Sequence, residues 1–369
     1  MKIGILGGGQ LAQMIALSGI PLGLRFVCYD PVDDCCASTV AEHISADYDN
    51  RKKLAEFAGQ VDIITYEFEN VPASCVRYLN ALMQEKGSAV FPGENALHAT
   101  QDRLREKQLF EKLAIPTPAF MAVNHAEDLE QAVRLLGLPL VLKSRSGGYD
   151  GKGQSVIRNE HDLHEAKKAI KHDQLIAEAW VNFDREISII AVRSRSGQTA
   201  FYDIAENTHQ NGILSTSFNR PDDAMQKKAE MLAQRLLDEL NYTGVIALEL
   251  FQTGDQLFAN EYAPRVHNTG HWTIEGAACS QFENHLRALL DWPVGSTRSI
   301  GYSGMINFIG ELPPVSDYLS VNNAHYHDYG KEPRPGRKVG HATLVAASQD
   351  SVKKMTETLE AQNRGLARQ

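Results

Sequence analysis

The chain has 369 residues, which sets an expectation of two or three domains. Hydrophobic residues make up 43% and charged residues 22%, an ordinary globular balance that excludes a low-complexity polymer. The 37 lysines and arginines against 46 acids leave a net charge of −9, which argues against a dedicated nucleic-acid binder but not against a local cationic pocket. The five cysteines, Cys28, Cys35, Cys36, Cys75 and Cys279, form neither a disulfide framework nor a C-x-x-C zinc pair and are expected mostly in the core. Met1-Lys2-Ile3-Gly4 runs straight into a strand-like segment with no signal-peptide pattern. No apolar stretch approaches the roughly 20 residues that span a bilayer, so a cytoplasmic protein is the default expectation.

In chain order, residues 2–7 read as a buried strand, followed by the turn Gly7-Gly8-Gly9 and a helix with Leu11, Met14 and Ile15 on one face. Strands are expected at 24–29, 61–66 and 89–92. Strand, helix and strand at this spacing predict a doubly wound parallel-sheet α/β domain over residues 1–98. A charged helix from Asp102 to Leu113 ends at Ile115-Pro116-Thr117-Pro118. Residues 99–195 then read as a small α+β unit, with a strand ending in Lys143, a glycine-rich loop and a helix near 160–172. Residues 196–369 form a second α+β unit with a hairpin at 244–262, a helix near 280–290 and strands at 304–309 and 339–345. The tail from Glu357 to Gln369 is polar, and its end is expected to be mobile.

Gly7-x-Gly9-x-x-Ala12, with Asp30 at the end of the next strand, matches the dinucleotide fingerprint. Three readings fit it: a tight strand-to-helix turn, an anion site at the helix N-terminus, or a dinucleotide site. Gln10, a large amide, suits a phosphomonoester or a ribose hydroxyl better than a dinucleotide.

The loop Gly147-Gly148-Tyr149-Asp150-Gly151-Lys152-Gly153-Gln154 carries more information. Its glycines make a flap whose amides can fold over phosphates, and Lys143 precedes it on a strand, as the phosphate-binding lysine does in other phosphoryl-transfer enzymes. The P-loop pattern is absent. Thr253-Gly254-Asp255 joins two apolar runs, and a turn there sets Glu249 opposite Glu261. Two carboxylates so close repel unless a cation lies between them, and an oxygen-only set with Asn260 beside it suits Mg²⁺. His267 and His271 stand in a segment containing Pro264 and Gly270, which reads as a loop that presents Arg265 and His267 to an anion rather than as a zinc helix. In Lys331 to His341 four cations face one glutamate; arginine geometry there suits phosphate, against the simpler reading of a solvated loop.

These motifs, together with Thr65-Tyr66-Glu67-Phe68-Glu69-Asn70-Val71, Asn260-Glu261-Tyr262-Ala263-Pro264-Arg265 and Arg334-Pro335-Gly336-Arg337-Lys338, resemble the ATP-grasp superfamily over nearly the whole chain. Within it the chain is most similar to the N5-carboxyaminoimidazole ribonucleotide synthases. The resemblance implies an N-terminal pre-ATP-grasp domain and two ATP-grasp subdomains, with ATP between the central and C-terminal ones. It also implies ATP-dependent carboxylation of aminoimidazole ribonucleotide by bicarbonate through carboxyphosphate, in purine biosynthesis. ATP contacts would be Arg103, Lys143, the loop Gly148, Tyr149, Asp150, Gly151, Lys152, Gly153 and Gln154, the linker Glu178, Ala179, Trp180 and Val181, then Glu186 on the ribose, His209, Asn260 and Glu261. Glu249 and Glu261 would hold Mg²⁺. The ribonucleotide would meet Gln10, Leu11, Glu67, Tyr149, Asp150, Lys152, Arg265, His267, Lys331 and Arg337. Lys143 and Arg265 would set positive charge beside the reacting bicarbonate, and Asp150 and His267 are the candidates to accept the amine proton. The resemblance further implies a homodimer and a mutase that receives the product. It leads one to expect a further apolar segment after Leu359, which the chain lacks. The rival readings are another ATP-grasp ligase, such as a formate-dependent glycinamide ribonucleotide transformylase, an NAD-dependent oxidoreductase, and a non-catalytic nucleotide sensor.

Overall fold

The structure is a computed structural model describing residues 1–148, 153–170 and 174–366. Three sheets organise it. The first is parallel, with strand order β3-β2-β1-β4, from β1 (Lys2–Leu6), β2 (Arg25–Asp30), β3 (Glu42–Ser45) and β4 (Ile63–Tyr66). Helices α1 (Gln10–Gly19), α2 (Arg51–Gln60) and α3 (Ala73–Glu85) cover its faces, and α4 (Glu94–Thr100) follows. Residues 89–92, expected as a strand, make only a single parallel bridge from Val90 to Ile64.

Helix α5 (Arg103–Lys112) starts at Asp102, whose side chain accepts from the Leu104 N–H. It leads into a four-stranded antiparallel sheet ordered β5-β8-β6-β7, from β5 (Phe120–Val123), β6 (Leu140–Ser144), β7 (Gln154–Ile157) and β8 (Leu175–Ala179). Helices α6 (Ala126–Leu136) and α7 (Glu160–Ala169) close its core around Leu129, Leu140 and Ile157.

The third sheet has nine strands: β9 (Arg185–Arg193), β10 (Thr199–Phe201), β11 (Ala205–Gln210), β12 (Ile213–Asn219), β13 (Gly244–Thr253), β14 (Gln256–Ala263), β15 (Tyr302–Ile309), β16 (Ala324–Asp328) and β17 (Lys338–Ala346). Strand β9, expected in the central unit, pairs along its whole length with β13 and so belongs to this sheet. Around it lie α8 (Gln226–Glu239), the short α9 (Thr273–Gly276), α10 (Gln281–Leu289), α11 (Val315–Leu319) and α12 (Gln349–Leu366). Helix α12 carries the expected mobile tail as far as Leu366, and its Leu359 is buried with Ile306 and Leu344.

The first and third sheets share one core, in which Ile3, Met14, Ile15 and Phe26 pack with Val245, Ala247, Leu286 and Leu289. His285 rivets this joint. Its Nδ1 accepts from the Val245 N–H at 3.1 Å and its Nε2 lies 2.9 Å from the Thr65 hydroxyl. Burial pushes the His285 imidazole down to about 3, so it is neutral and carries one donor and one acceptor, as these partners require. Among the described residues no helix is long and apolar enough to cross a membrane.

Candidate active site

The glycine turn after β1 is tied by the chain's own acids. The Gly8 N–H donates to Asp30 Oδ2 at 2.8 Å, the Gly9 N–H to Glu67 Oε1 at 2.7 Å and the Ala12 N–H to Glu67 Oε2 at 3.2 Å. Gly7 adopts φ +96°, which suits glycine. A Cβ on Gly9 would lie 2.5 Å from Glu67 Oε1. Glu67 therefore occupies the place at the N-terminus of α1 where a dinucleotide pyrophosphate would sit, and Asp30 braces the turn instead of a ribose. Burial pushes the Glu67 carboxyl up, against the pull of the Gly9 and Ala12 N–H groups. Two residues on, Glu69 forms an ion pair with Arg265, and this guanidinium outweighs burial to hold the Glu69 carboxyl below its ordinary range.

A cleft of about 1130 Å³ opens in front of this turn and receives side chains from the second and third sheets, from the start of α1 and from the segment that follows β4. Every described residue assigned from the sequence to ATP, Mg²⁺ or the ribonucleotide, except Gly153, lines it. Tyr149, Asp150, Gly151 and Lys152 lie outside the described residues. Gly153, at φ +74°, returns the loop into β7, with its carbonyl accepting from the Ser144 N–H at 2.8 Å.

Helix α5 ties the two walls of the cleft together. Arg103 donates to the Ser144 carbonyl at 2.9 Å and the Gly148 carbonyl at 3.0 Å, holding the near end of the glycine loop. One turn further, Lys107 is only 1% exposed and donates to the Asn260 carbonyl at 2.8 Å and to Thr117 Oγ1 at 3.0 Å. It also pairs with Glu178 at 3.3 Å, and Lys143 reaches the other Glu178 oxygen at 3.0 Å. Burial works against the Glu178 charge, but the two lysines overcome it and hold its carboxyl below the ordinary range. Beside Lys107, Glu106 accepts the Tyr262 N–H at 2.8 Å, and its carboxyl is pushed up to about 8 by burial and by Glu261. Glu69, Glu106 and Lys107 were missed in the sequence. The available signal was the spacing 103, 107, 110, which puts two cations on the face of α5 that buries Phe110.

On the opposite wall, the turn at Gly254 and Asp255 sets Leu250 opposite Ala259, and Glu249 opposite Glu261. The register shifts by one residue between these pairs, so Asn260 is the extra residue of a bulge. Without the bulge, Asn260 and Glu261 would point to opposite faces; with it, both line the cleft beside Glu249. The Glu249 carboxyl is pushed up to about 7 by burial and then by the charge of Glu261. An oxygen-only donor set that cannot hold its full negative charge alone fits a hard divalent cation such as Mg²⁺.

Glu186 and His209 meet at 2.5 Å at the same end of the cleft. Burial disfavours the His209 cation, yet Glu186 and Glu249 outweigh it and raise the imidazole above its ordinary value. Nearby, Phe183 and Phe251 stack at 4.8 Å and 11°, forming an apolar wall beside the linker from Glu178 to Val181. At the far end, Lys331 donates to Gln10 Oε1 at 2.5 Å, and Arg337 lines the cleft with it. His267 accepts the Thr269 N–H on Nδ1, which leaves the proton on Nε2, 3.6 Å from Glu249 Oε1. Burial and Arg265 push this imidazole well below its ordinary value, so His267 is a neutral donor here. His271 is buried away from the cleft, against the His341 ring.

Three family models match the chain: a ribonucleotide synthetase preATP-grasp domain over residues 1–101, an ATP-grasp domain over 108–282, and a phosphoribosylaminoimidazole carboxylase C-terminal domain over 303–355. The N5-carboxyaminoimidazole ribonucleotide synthase of Pseudomonas aeruginosa is 47% identical over 361 residues, covering 98% of this chain and 99% of its own. The crystal structure of the Thermus thermophilus synthetase is 48% identical, with a TM-score of 0.91 over 97% of this chain and 98% of that one. The Aspergillus clavatus enzyme, in complex with ADP and 5-aminoimidazole ribonucleotide, is 30% identical, with a TM-score of 0.89 over 98% and 97%.

Proposed function

The chain belongs to the N5-carboxyaminoimidazole ribonucleotide synthase family, and from that premise we propose how its cleft performs the family's reaction. It is an ATP-dependent ligase that carboxylates 5-aminoimidazole ribonucleotide in purine biosynthesis. The observation that carries the site assignment is the bulged pair Glu249 and Glu261, set across one cleft from Lys143 and the glycine loop.

ATP lies with its base between the linker Glu178 to Val181 and the Phe251 wall, its ribose towards Glu186 and His209, and its phosphates towards Lys143 and Arg103. Glu249, Glu261 and Asn260 would hold Mg²⁺, which supplies charge compensation for the transferring phosphoryl group. Lys143 and Arg265 keep fixed positive charge near the bicarbonate oxygen that attacks the γ-phosphorus, giving carboxyphosphate and ADP. The amine of the ribonucleotide then takes the carboxyl carbon, phosphate leaves, and one amine proton is lost. Lys331, Arg337 and Gln10 bind the ribose phosphate end, and the glycine loop, whose Tyr149, Asp150 and Lys152 lie outside the described residues, is assigned the exclusion of water from the intermediate. With His267 placed as a donor, Asp150 is assigned the amine proton. A homodimer, and a mutase that takes up the product, complete the proposal.

The test is phosphate release from ATP in bicarbonate buffer, which aminoimidazole ribonucleotide should trigger. Glu261→Gln should lower turnover by several orders of magnitude with the fold intact; full activity of that variant removes the metal assignment. Dependence on formate in place of bicarbonate would point to the transformylase chemistry instead.

A further inference from the structure

Behind the glycine turn lies a side-chain group that the carboxylation does not use. Cys28 is on β2, Cys35 opens the turn that follows it, and His43 is on β3. The two Sγ atoms are 3.8 Å apart, and they and a His43 ring nitrogen all lie within 4.8 Å of one another. Both thiols are free and buried, while His43 is half-buried and gives the group an opening to solvent. Thiolates bound to one zinc ion at about 2.3 Å with tetrahedral angles stand about 3.8 Å apart, whereas a disulfide brings the sulfurs to about 2.05 Å. The two thiols meet in an S–H···S contact whose length equals that zinc-bound spacing and is far too long for a disulfide bond.

We propose that Cys28, Cys35 and His43 form a binding site for a soft divalent cation, zinc foremost, with a solvent oxygen as fourth ligand. The two thiol protons pass to solvent as the two metal–sulfur bonds form, and no electron is transferred. His43 Nε2 lies 3.1 Å from the Asp30 carbonyl, which, with Nδ1 as the ligating atom, is the type of outer partner that orients an imidazole. This site is separate from the oxygen-lined one at Glu249 and Glu261, because thiolate and imidazole select zinc over magnesium.

The position gives the site a consequence. Cys35 Sγ lies against Gly8, where a Cβ would come within 2.4 Å of it, and the Gly8 carbonyl accepts the Ala37 N–H at 2.8 Å. Gly8 leads through Gly9 to Gln10, so on the reading of the cleft above, occupancy acts on the ribonucleotide end rather than the ATP end. Metal binding itself does not depend on that reading.

The test uses the full-length chain, reduced and metal-free, titrated anaerobically with Co²⁺ in excess Mg²⁺. Expected are a single equivalent of cobalt with thiolate charge-transfer absorption and tetrahedral ligand-field bands, displaced by zinc and lost in Cys28→Ser and Cys35→Ser. His43→Gln alters a half-buried side chain and spares the core, and it should weaken binding about tenfold or more. Absence of the thiolate bands in the parent, their survival in both serine variants, or unchanged cobalt affinity in His43→Gln overturns the site. So does loss of two hydrogen masses in place of metal uptake, which would mark the pair as a disulfide couple. An increase in KM for aminoimidazole ribonucleotide on zinc binding, with KM for ATP unchanged, is the result expected for the coupling to Gln10. Equal changes in both would refute that coupling without touching the metal site.

Discussion

Replacing Glu249 by glutamine should make the protein more stable and far less active, and the size of the stability gain depends on pH. The Glu249 carboxyl is pushed from 4.5 up to about 7 by burial and by Glu261. The folded chain therefore keeps a proton that the unfolded chain has released. The associated stability is fully present below about pH 4.5 and is lost as pH rises through about 7. A displacement from 4.5 to about 7 sets a ceiling of about 3 kcal/mol on that loss at pH 8. About half of that is a fairer figure, since part of the Glu249 displacement comes from the neighbouring Glu261 charge and is not additive with burial. Glutamine keeps the volume and removes the charge. In metal-free buffer at pH 8 the variant should unfold a few degrees above the parent, and at pH 5 most of that difference should vanish. Comparing variant with parent cancels the buried neutral histidines, His285 among them, which destabilise both proteins alike in acid. Added Mg²⁺ should raise the parent's midpoint at pH 8 and leave the variant's unchanged. Scanning calorimetry at the two pH values, with and without Mg²⁺, reads all four arms. A variant less stable than the parent at pH 8, or equally shifted at both pH values, would refute the reasoning.

Lys107→Met leaves buried Glu178 with Lys143 and removes the donor to the Asn260 carbonyl, so about 2–3 kcal/mol of stability should go, together with a rise in KM for ATP. Denaturant titration and initial rates check this; Lys107→Arg should recover part of the ATP affinity if the charge matters. Gly9→Ala puts a Cβ 2.5 Å from Glu67 Oε1 and should cost about 1–3 kcal/mol. Its kinetic mark should be a higher KM for aminoimidazole ribonucleotide with KM for ATP little changed. Arg103→Met frees the carbonyls of Ser144 and Gly148 at the base of the flap, so water should reach the intermediate. Phosphate release should then outrun carboxylated product, measured as a coupling ratio below one.

Much of the site was legible because it is local. The hairpin from Gly244 to Ala263 announces itself by Thr253-Gly254-Asp255 between two apolar runs, and a two-residue turn brings Glu249 near Glu261 whatever the rest of the chain does. Lys143 at the end of an apolar strand and the glycines after it are read the same way. The bulge was not legible, because nothing in Asn260-Glu261 marks the residue at which the register slips. Nor was the use of Glu67. Sequence spacing shows a glycine turn and an acid 58 residues later, but only folding β4 beside β1 brings that acid to the Gly9 N–H and closes the place a dinucleotide would take.

The amino-acid sequence by itself determined the order of the elements, the ATP-grasp character and most of the side chains that meet in the cleft. Turn chemistry, strand periodicity and glycine content act over a few residues and survive in a one-dimensional record. Tertiary structure alone decided that β9 belongs to the large sheet, that the N-terminal domain shares a core with it, and that buried Lys107 binds both Glu178 and the Asn260 carbonyl. Those facts depend on which distant segments exclude water together. That is settled by the summed burial of many side chains, and no short stretch of sequence carries it.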